Sequence, residues 1–245
     1  MKKTYIASCS FGKDSIAMLK IIHDNNLPLD EVIFVEPMFD ENTSGLYPKQ
    51  KAFVEYASNK IKQLWGYNVN ILRSDVTYKE QFYIKKKRGK HIGDINGFPC
   101  VLGAWCNGSL KMRPIKKFEK QFKNVHHYVG IAYDEKKRHD KLLTRNNNSS
   151  SPLFDYKITE NMAMNICKDL ELLSPIYKEK TRDGCWFCHN QRVSQLRTLR
   201  KEYPKYWDTI SKLQLDCKFP FTPNKSWFDL ERRFANEDKE LKLDL

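Results

Sequence analysis

Ser10-Phe11-Gly12-Lys13-Asp14-Ser15 stands between a short β-leaning run and an amphipathic run, and its reading decides the fold. Upstream, Thr4-Tyr5-Ile6-Ala7 is apolar, as a buried central strand would be. Downstream, Ile16-Ala17-Met18-Leu19 and Ile21-Ile22 place apolar side chains on a broad helical face, and Asn25-Asn26-Leu27-Pro28 ends the run. A strand that feeds a Gly-containing turn and then a helix leaves backbone N–H groups unpaired at the helix N-terminus, which favours anions. Gly12 lets the backbone approach a phosphate, Lys13 adds a mobile charge and Ser15 a hydroxyl. The spacing G-x-x-x-x-G-K-[ST] is absent, so this is not a Walker loop. The hexapeptide alone also reads as a strand–turn–helix with an incidental lysine.

Working outward, Val32-Ile33-Phe34-Val35 is a second buried-strand candidate that runs into the polar loop Glu36 to Gly45. Pro48 through Leu64 reads as a helix with Phe53, Val54, Ala57, Ile61 and Leu64 on one face, and Val69-Asn70-Ile71-Leu72 as a third strand. Strand and helix alternate, which argues for an α/β fold with a doubly wound, mostly parallel, Rossmann-like sheet. In such sheets ligands bind at the carboxyl edge, where the loop with Asp40 would lie. Tyr78 to Gly108 has weak periodicity and reads as a long irregular excursion. His127 to Asp134 is a fourth strand, Ile158 to Leu173 an amphipathic helix with Met162, Ile166 and Cys167 on its apolar side, and Val193 to Leu213 a helix broken at Pro204. Ser226-Trp-Phe-Asp229 resembles a capping box, and the aromatics of the tail read as packing.

The chain of 245 residues is 40% apolar and 13% aromatic, enough for a full core, most simply one domain with an appendage. No run of 18 apolar residues exists, and Met1-Lys2-Lys3 leads straight into a strand, so a soluble cytoplasmic protein with no membrane partner is expected. Seven cysteines, two of them in C-x-x-C, fit a reduced compartment with metal or redox chemistry better than a secreted disulfide frame.

The net charge of +13 is uneven. Residues 1–80 carry 10 basic and 10 acidic side chains, residues 81–145 carry 16 and 5, and residues 146–245 carry 17 and 15. The excess gathers at Lys85-Lys86-Lys87-Arg88, between Lys111 and Lys123, and at Lys136-Lys137-Arg138. Such a run can be a solvated face; beside a phosphate site it also suits a polyanionic partner, nucleotide or nucleic acid.

Gly184-Cys185-Trp186-Phe187-Cys188-His189-Asn190 holds a C-x-x-C knuckle, which turns two thiolates toward one point, as zinc or an iron–sulfur cluster requires. A thioredoxin-like redox pair is the other reading of that spacing. Cys100 and Cys106 lie in an earlier segment that continues through Lys111 to Pro114. Cys106, Cys185 and Cys188 are the metal-ligand candidates, with Cys100 as fourth ligand and His189 as its rival. All-thiolate ligation favours [4Fe–4S], a histidine favours Zn²⁺, and three buried cysteines without metal is the plain alternative. Cys9, Cys167 and Cys217 read as structural.

The hexapeptide resembles the S-G-G-x-D-S pyrophosphate loop of the PP-loop ATP pyrophosphatase and adenine nucleotide α-hydrolase superfamily, with Phe11 in place of one Gly. Further elements are similar to those of the phosphoadenosine-phosphosulfate (PAPS) reductase-like family: Asp40 to Gly45, the segment with Cys106, Lys111 and Pro114, Gly130 with Glu135 and Arg138, and Pro152-Leu153-Phe154-Asp155-Tyr156. The iron–sulfur members use two adjacent cysteines where Cys106 and Asn107 stand. The resemblance covers most of residues 4–190 by scattered motifs.

It implies a nucleotide-binding domain over 1–177 and a Cys-rich, partly helical appendage over 178–245 packed on the same core. It implies ATP or a PAPS-like adenine nucleotide as cofactor, usually with Mg²⁺, held by Ser10, Phe11, Gly12, Lys13, Asp14, Ser15, Asp40, Lys111, Gly130, Glu135 and Arg138. Lys13, Asp14 and Arg138 would be the catalytic residues, stabilising charge as the α–β phosphate bond breaks. The reaction would be adenylylation or sulfur transfer near a Cys-bound metal centre. True PAPS reductases carry a nucleophilic Cys in a C-terminal tail; this chain ends Lys242-Leu243-Asp244-Leu245 without one, which disfavours sulfonucleotide reduction. A nucleotide- or nucleic-acid-binding regulator that catalyses nothing is the alternative from another class.

Overall fold

Five strands form one all-parallel sheet in the order β3-β2-β1-β4-β5, so the fold is α/β as the alternation predicts. They are β1 (Thr4–Ser8), β2 (Glu31–Val35), β3 (Val69–Leu72), β4 (Val125–Val129) and β5 (Ser149–Ser150). This is a computed structural model, and it describes residues 2–99, 104–145, 147–178, 184–223 and 225–243. The chain groups into two compact units, each assembled from several segments. The first comprises 1–36, 47–73 and 113–183, and the second 37–46, 74–112 and 184–245.

The sheet belongs to the first unit. β1 is central because its apolar run can be buried on both faces: Ile6 and Ala7 are fully buried, and β1 pairs with β4 from Thr4↔Val125 to Ser8↔Val129 and with β2 at Ile6↔Glu31. The chain winds outward from β1 through β2 to β3 and then returns to β4 on the other side. That reversal places a topological switch point at the carboxyl ends of β1 and β4, the place where open α/β sheets take ligands.

α1 (Lys13–Asp24) buries Ile16, Ala17, Met18, Leu19 and Ile22. It packs on α6 (Pro152–Asp155) and α7 (Glu160–Asp169). α2 (Pro48–Trp65) starts with Pro48 in its first turn and stops at Gly66, whose φ of 74° is the left-handed cap that glycine allows. Its buried side chains include Phe53, Val54, Ala57 and Ile61, whereas Leu64 turns outward in the last turn. α7 is shorter than its apolar pattern suggests, and Met162 points to solvent while Cys167 is fully buried. β4 also stops early, because the chain leaves the sheet at Gly130 rather than continuing to Asp134.

The second unit is helical with an aromatic interior. The stretch expected to be irregular opens as α3 (Tyr78–Tyr83), because Thr77 and Glu80 form a complete capping box. A π-helix spans Asn107–Met112. α8 (Val193–Glu202) and α9 (Pro204–Asp216) break at Pro204 as the sequence predicts, and α10 (Trp227–Leu243) follows. Trp207 and Trp227 pack with ring centres 3.9 Å apart and planes tilted by 39°, with Phe221 and Phe234 against them. The buried Gln214 amide closes the turn between α9 and α10: it donates to the carbonyls of Cys217 and Phe219 and accepts from the N–H groups of Phe221 and Trp227. The tail's tryptophans are therefore core. Among the described residues, no helix is long and apolar enough to cross a membrane.

Candidate functional site

The loop after β1 closes without a second glycine by placing Phe11 itself in the left-handed region, at φ 58°. That conformation costs an L-residue about 1–2 kcal/mol, and the side chain offsets it by burial, edge-on to Phe34 at 5.0 Å. Gly12, at φ −80° and ψ 161°, is extended and caps α1. Ser15 ties the loop together: its hydroxyl donates to Gly12 O (2.9 Å) and accepts from Ser10 N–H (3.1 Å). Ser10 Oγ in turn accepts from Gly12 N–H at 3.4 Å. Of the first-turn amides, Lys13 N–H donates to Tyr177 Oη (3.2 Å), while those of Asp14 and Ser15 have no acceptor among the described residues. The loop thus presents free donors and a positive helix end where an anion would sit.

Lys13 is almost fully buried, and its Nζ donates to both oxygens of Asp14 (2.8 and 3.0 Å) and pairs with Glu160 at 3.4 Å. Burial works against the lysine's charge, but the two carboxylates prevail and hold its pKa above the ordinary value. Burial, joined by the charges of Glu160 and Glu135, prevails over Lys13 and holds Asp14 above the usual carboxylate range. Arg138 makes a two-pronged contact with Glu135 (3.0 and 2.9 Å) at the start of α5 (Lys136–Arg145) and is more than half exposed. The two side chains form a partly exposed ion pair.

Gly130 earns its place by contact rather than by backbone freedom. A Cβ there would meet the carbonyl carbon and oxygen of Asp14 at 2.9 Å and Ser15 N at 3.0 Å. The chain after β4 is therefore packed directly on the first turn of α1. Below it, Cys167 Sγ donates to Lys13 O (3.2 Å), and burial pushes its thiol up to about 12. Cys9 is also buried, its thiol raised to about 11, and both behave as core.

In the second unit, Asp40 closes its own loop by accepting from the N–H groups of Asn42 (3.1 Å) and Thr43 (2.8 Å). Burial would raise its pKa, but the bonds from Thr43 and Asn42 hold it below the usual carboxylate value. It lines a polar cavity of about 650 Å³ with Thr43, Thr77, Lys79 and Tyr83. The same loop supports the C-x-x-C knuckle: Trp186 N–H donates to Gly45 O and its indole N–H to Ser44 O, each at 2.9 Å. Trp186 and Phe187 are buried, and a Cβ on Gly45 would strike the Phe187 ring at 2.9 Å. The two residues between the cysteines are thus anchors, and the cysteines stay half-buried.

Cys106, Cys185 and Cys188 are free thiols within one another's electrostatic reach. Burial pushes the Cys185 thiol up to about 12 and raises Cys106, while the Lys111 ammonium opposes both shifts. Lys111 sits on the π-helix, a distortion that recurs at functional sites. Among the described residues, no three His, Cys, Asp or Glu side chains form a group that could hold a metal ion as placed. Cys100 lies outside the described residues. The donor chemistry still fits a thiophilic centre: three cysteine sulfurs, none in a disulfide, are the ligand type that zinc and iron–sulfur centres take.

Of the residues singled out in the sequence, the structure gathers Ser10 to Ser15 and Gly130 at the carboxyl end of β1, with Glu135 and Arg138 just beyond them. Lys111 keeps company with the thiols, and Asp40 with its own cavity. Glu160 and Tyr177 were not singled out. Glu160 shows in sequence only as a helix opener, and a tyrosine 164 positions from Lys13 carries no local signal.

No protein-family model matches the sequence. The chain is 25% identical over 219 residues to the uncharacterized protein MJ0066 of Methanocaldococcus jannaschii, covering 85% of this chain and 41% of that protein. It is 22% identical over 253 residues to the uncharacterized protein MJ0973 of the same organism, covering 98% of this chain and 51% of that one. The chain thus spans about half the length of the curated relatives it matches or less. Among solved structures, the U34-tRNA thiolase NcsA from Methanococcus maripaludis, with its [4Fe-4S] cluster, superposes over 87% of this chain and 71% of that one. The TM-score of that superposition is 0.45 and the identity 16%.

Proposed function

We propose that the chain is a PAPS reductase-like PP-loop enzyme that binds ATP or a related adenine nucleotide and acts at its α-phosphate, by adenylylation or sulfur transfer. The observation that carries this is the loop Ser10 to Ser15 at the sheet's reversal point, with the Asp14 and Ser15 amides lacking an acceptor among the described residues and Gly130 packed on its backbone. In this reading the Asp14 and Ser15 amides and Lys13 Nζ hold the phosphates, and an acceptor attacks the α-phosphorus as pyrophosphate leaves. Lys13 stabilises charge on the departing oxygens, and Asp14 keeps its ammonium in place. Arg138 reaches the phosphates from α5 by exchanging Glu135 for them.

Cys106, Cys185 and Cys188, with Cys100 or His189, would hold a [4Fe–4S] cluster or Zn²⁺. A cluster there would supply thiolate-bound iron for sulfur chemistry, and zinc a structural clamp. The acceptor suited to the basic 81–145 stretch is a nucleic acid.

The test is incubation of the full chain with Mg²⁺ and α-³²P-labelled ATP. Release of pyrophosphate with AMP or an adenylylated product, lost about 100-fold or more in Lys13→Ala, is the expected result. Binding without turnover would identify a non-catalytic regulator. Absence of any adenine-nucleotide binding at millimolar concentration would sink the reading.

A further inference from the structure

The segment from Ile84 to Asn96 folds back on itself as a hairpin within the second unit. Lys85 and Ile95 form an antiparallel bridge, Lys86 N–H donates to Asp94 O (2.8 Å), Gly93 N–H to Lys86 O (3.0 Å) and Asn96 N–H to Ile84 O (2.8 Å). Gly89 and Gly93 turn the chain at φ +84° and +85°, with open space where side chains would be. The base of the hairpin is fixed from inside. Lys86 Nζ donates to Ile95 O (2.7 Å) and lies 4.6 Å from the centre of the Phe219 ring. Asp94, the one carboxylate of the segment, is taken by Lys218 (2.7 Å) and His91 (3.3 Å).

What remains is Lys85, Lys87, Arg88 and Lys90, all exposed, and none has a carboxylate partner among the described residues. Ile92, 67% exposed, stands in the same turn. A merely solvated face mixes both signs of charge, because like charges crowded on a short turn repel. Here the neighbouring acid is consumed in anchoring the base, so the tip keeps its full positive field. An anchored cationic finger with one bare aliphatic side chain fits a surface of regularly spaced negative charge with apolar faces between them. A nucleic-acid backbone, with sugars and bases behind its phosphates, is such a surface.

We propose that the hairpin of residues 85–95 docks the phosphodiester backbone of a structured nucleic acid, with Lys85, Lys87, Arg88 and Lys90 on phosphates and Ile92 against a sugar or base. This deepens the partner named above and rests on that part of the reading, while requiring nothing of the nucleotide loop.

The experiment uses the full chain and fluorescence anisotropy with a labelled stem-loop RNA and a labelled DNA duplex of about 30 nucleotides per strand, titrated across salt. Wild type binds one or both, with affinity falling steeply as salt rises. In the variant K85A/K87A/R88A/K90A, affinity falls at least tenfold and the log–log salt slope shrinks by roughly 2–3, as expected when up to four phosphate contacts are lost. Ile92→Ala weakens binding a few-fold and leaves the slope unchanged. Charge-preserving Lys→Arg changes at 85, 87 and 90 keep wild-type binding. RNA against DNA distinguishes the two sources of the same backbone. Wild-type affinity and slope in the quadruple variant overturn the proposal. So does binding to anionic phosphatidylserine vesicles in place of either nucleic acid. ATP binding, measured in parallel, fails or survives independently, so loss of the enzymatic reading cannot be mistaken for loss of this one.

Discussion

Gly130 lies so close to Asp14 that a single added carbon would sit 2.9 Å from that residue's carbonyl carbon and oxygen. Both partners are backbone on packed elements, so neither can swing away as a flexible side chain would. Gly130→Ala must therefore push the start of α1 off the end of β4. The expected cost is about 1–3 kcal/mol of stability, the usual range for overpacking, and a loss of nucleotide affinity of about tenfold or more from displaced amides. Denaturant unfolding and calorimetric ATP titration check the two. Unchanged affinity would show that the contact positions nothing.

Phe11 sets a strained backbone against a buried ring. Phe11→Gly relieves the left-handed penalty of about 1–2 kcal/mol but removes an aromatic side chain that is only 2% exposed, a loss of about 3–5 kcal/mol, and adds freedom to the unfolded chain. The ring wins, so the glycine variant is expected to be less stable by about 2–4 kcal/mol, although it completes the S-G-G-x-D-S pattern that the hexapeptide resembles. A variant as stable as wild type in thermal unfolding would mean that the strain outweighs the packing.

Glu160 and Tyr177 occupy the groups an incoming phosphate would use, Lys13 Nζ and Lys13 N–H. Glu160 is half exposed, so its pair with Lys13 is screened and worth at most about 1 kcal/mol. Glu160→Gln is expected to tighten ATP binding roughly two- to fivefold and to leave adenosine binding alone, since only the phosphates compete. Tyr177→Phe acts in the same direction by releasing one amide. Weaker ATP binding in both variants would make them supports of the site rather than competitors for it.

The sheet was legible because β1, β2 and β3 are short apolar runs set between a loop, a helix and turn residues, and no other period fits them. The hexapeptide was legible as a strand–loop–helix junction for the same local reason. Contacts made by glycines were not. Gly45 and Gly130 stand out in sequence only as parts of motifs, and the folded chain alone shows Phe187 against the one and the Asp14 backbone against the other. Nor could local pattern show that Trp186 and Phe187 anchor the knuckle, since burial of residues inside C-x-x-C depends on a loop some 140 positions away. α3 was missed because its capping box, Thr77 with Glu80, precedes only six helical residues, too few for a period to show.

The three thiols make a prediction that needs no activity assay. Anaerobically purified protein is expected to be brown, with broad absorption near ~400 nm, and to contain iron and sulfide that Cys185→Ser loses. Stoichiometric zinc without colour would make the knuckle a structural clamp. Neither metal in wild type would sink the proposal that Cys106, Cys185 and Cys188 share a metal.

His126 gives the fold a dependence on pH that is separate from the nucleotide loop. Its ring packs between Tyr5 and Tyr128, Nε2 lies 2.8 Å from Ser150 Oγ, and Nδ1 is buried with no hydrogen-bond partner among the described residues. Burial, with the charges of Lys3 and His127, holds its pKa below the ordinary imidazole value. The unfolded chain therefore takes up this proton first as the pH falls. Stability is intact above the unfolded imidazole pKa, near ~6.5, and is lost as the pH falls through the lower folded one. Thermal unfolding of wild type is expected to shift to lower temperature between pH 7.5 and 5.5, and His126→Gln to flatten that shift. The glutamine keeps a polar group for Ser150 but cannot acquire a charge, so an equally steep fall in the variant would assign the acid sensitivity to other groups.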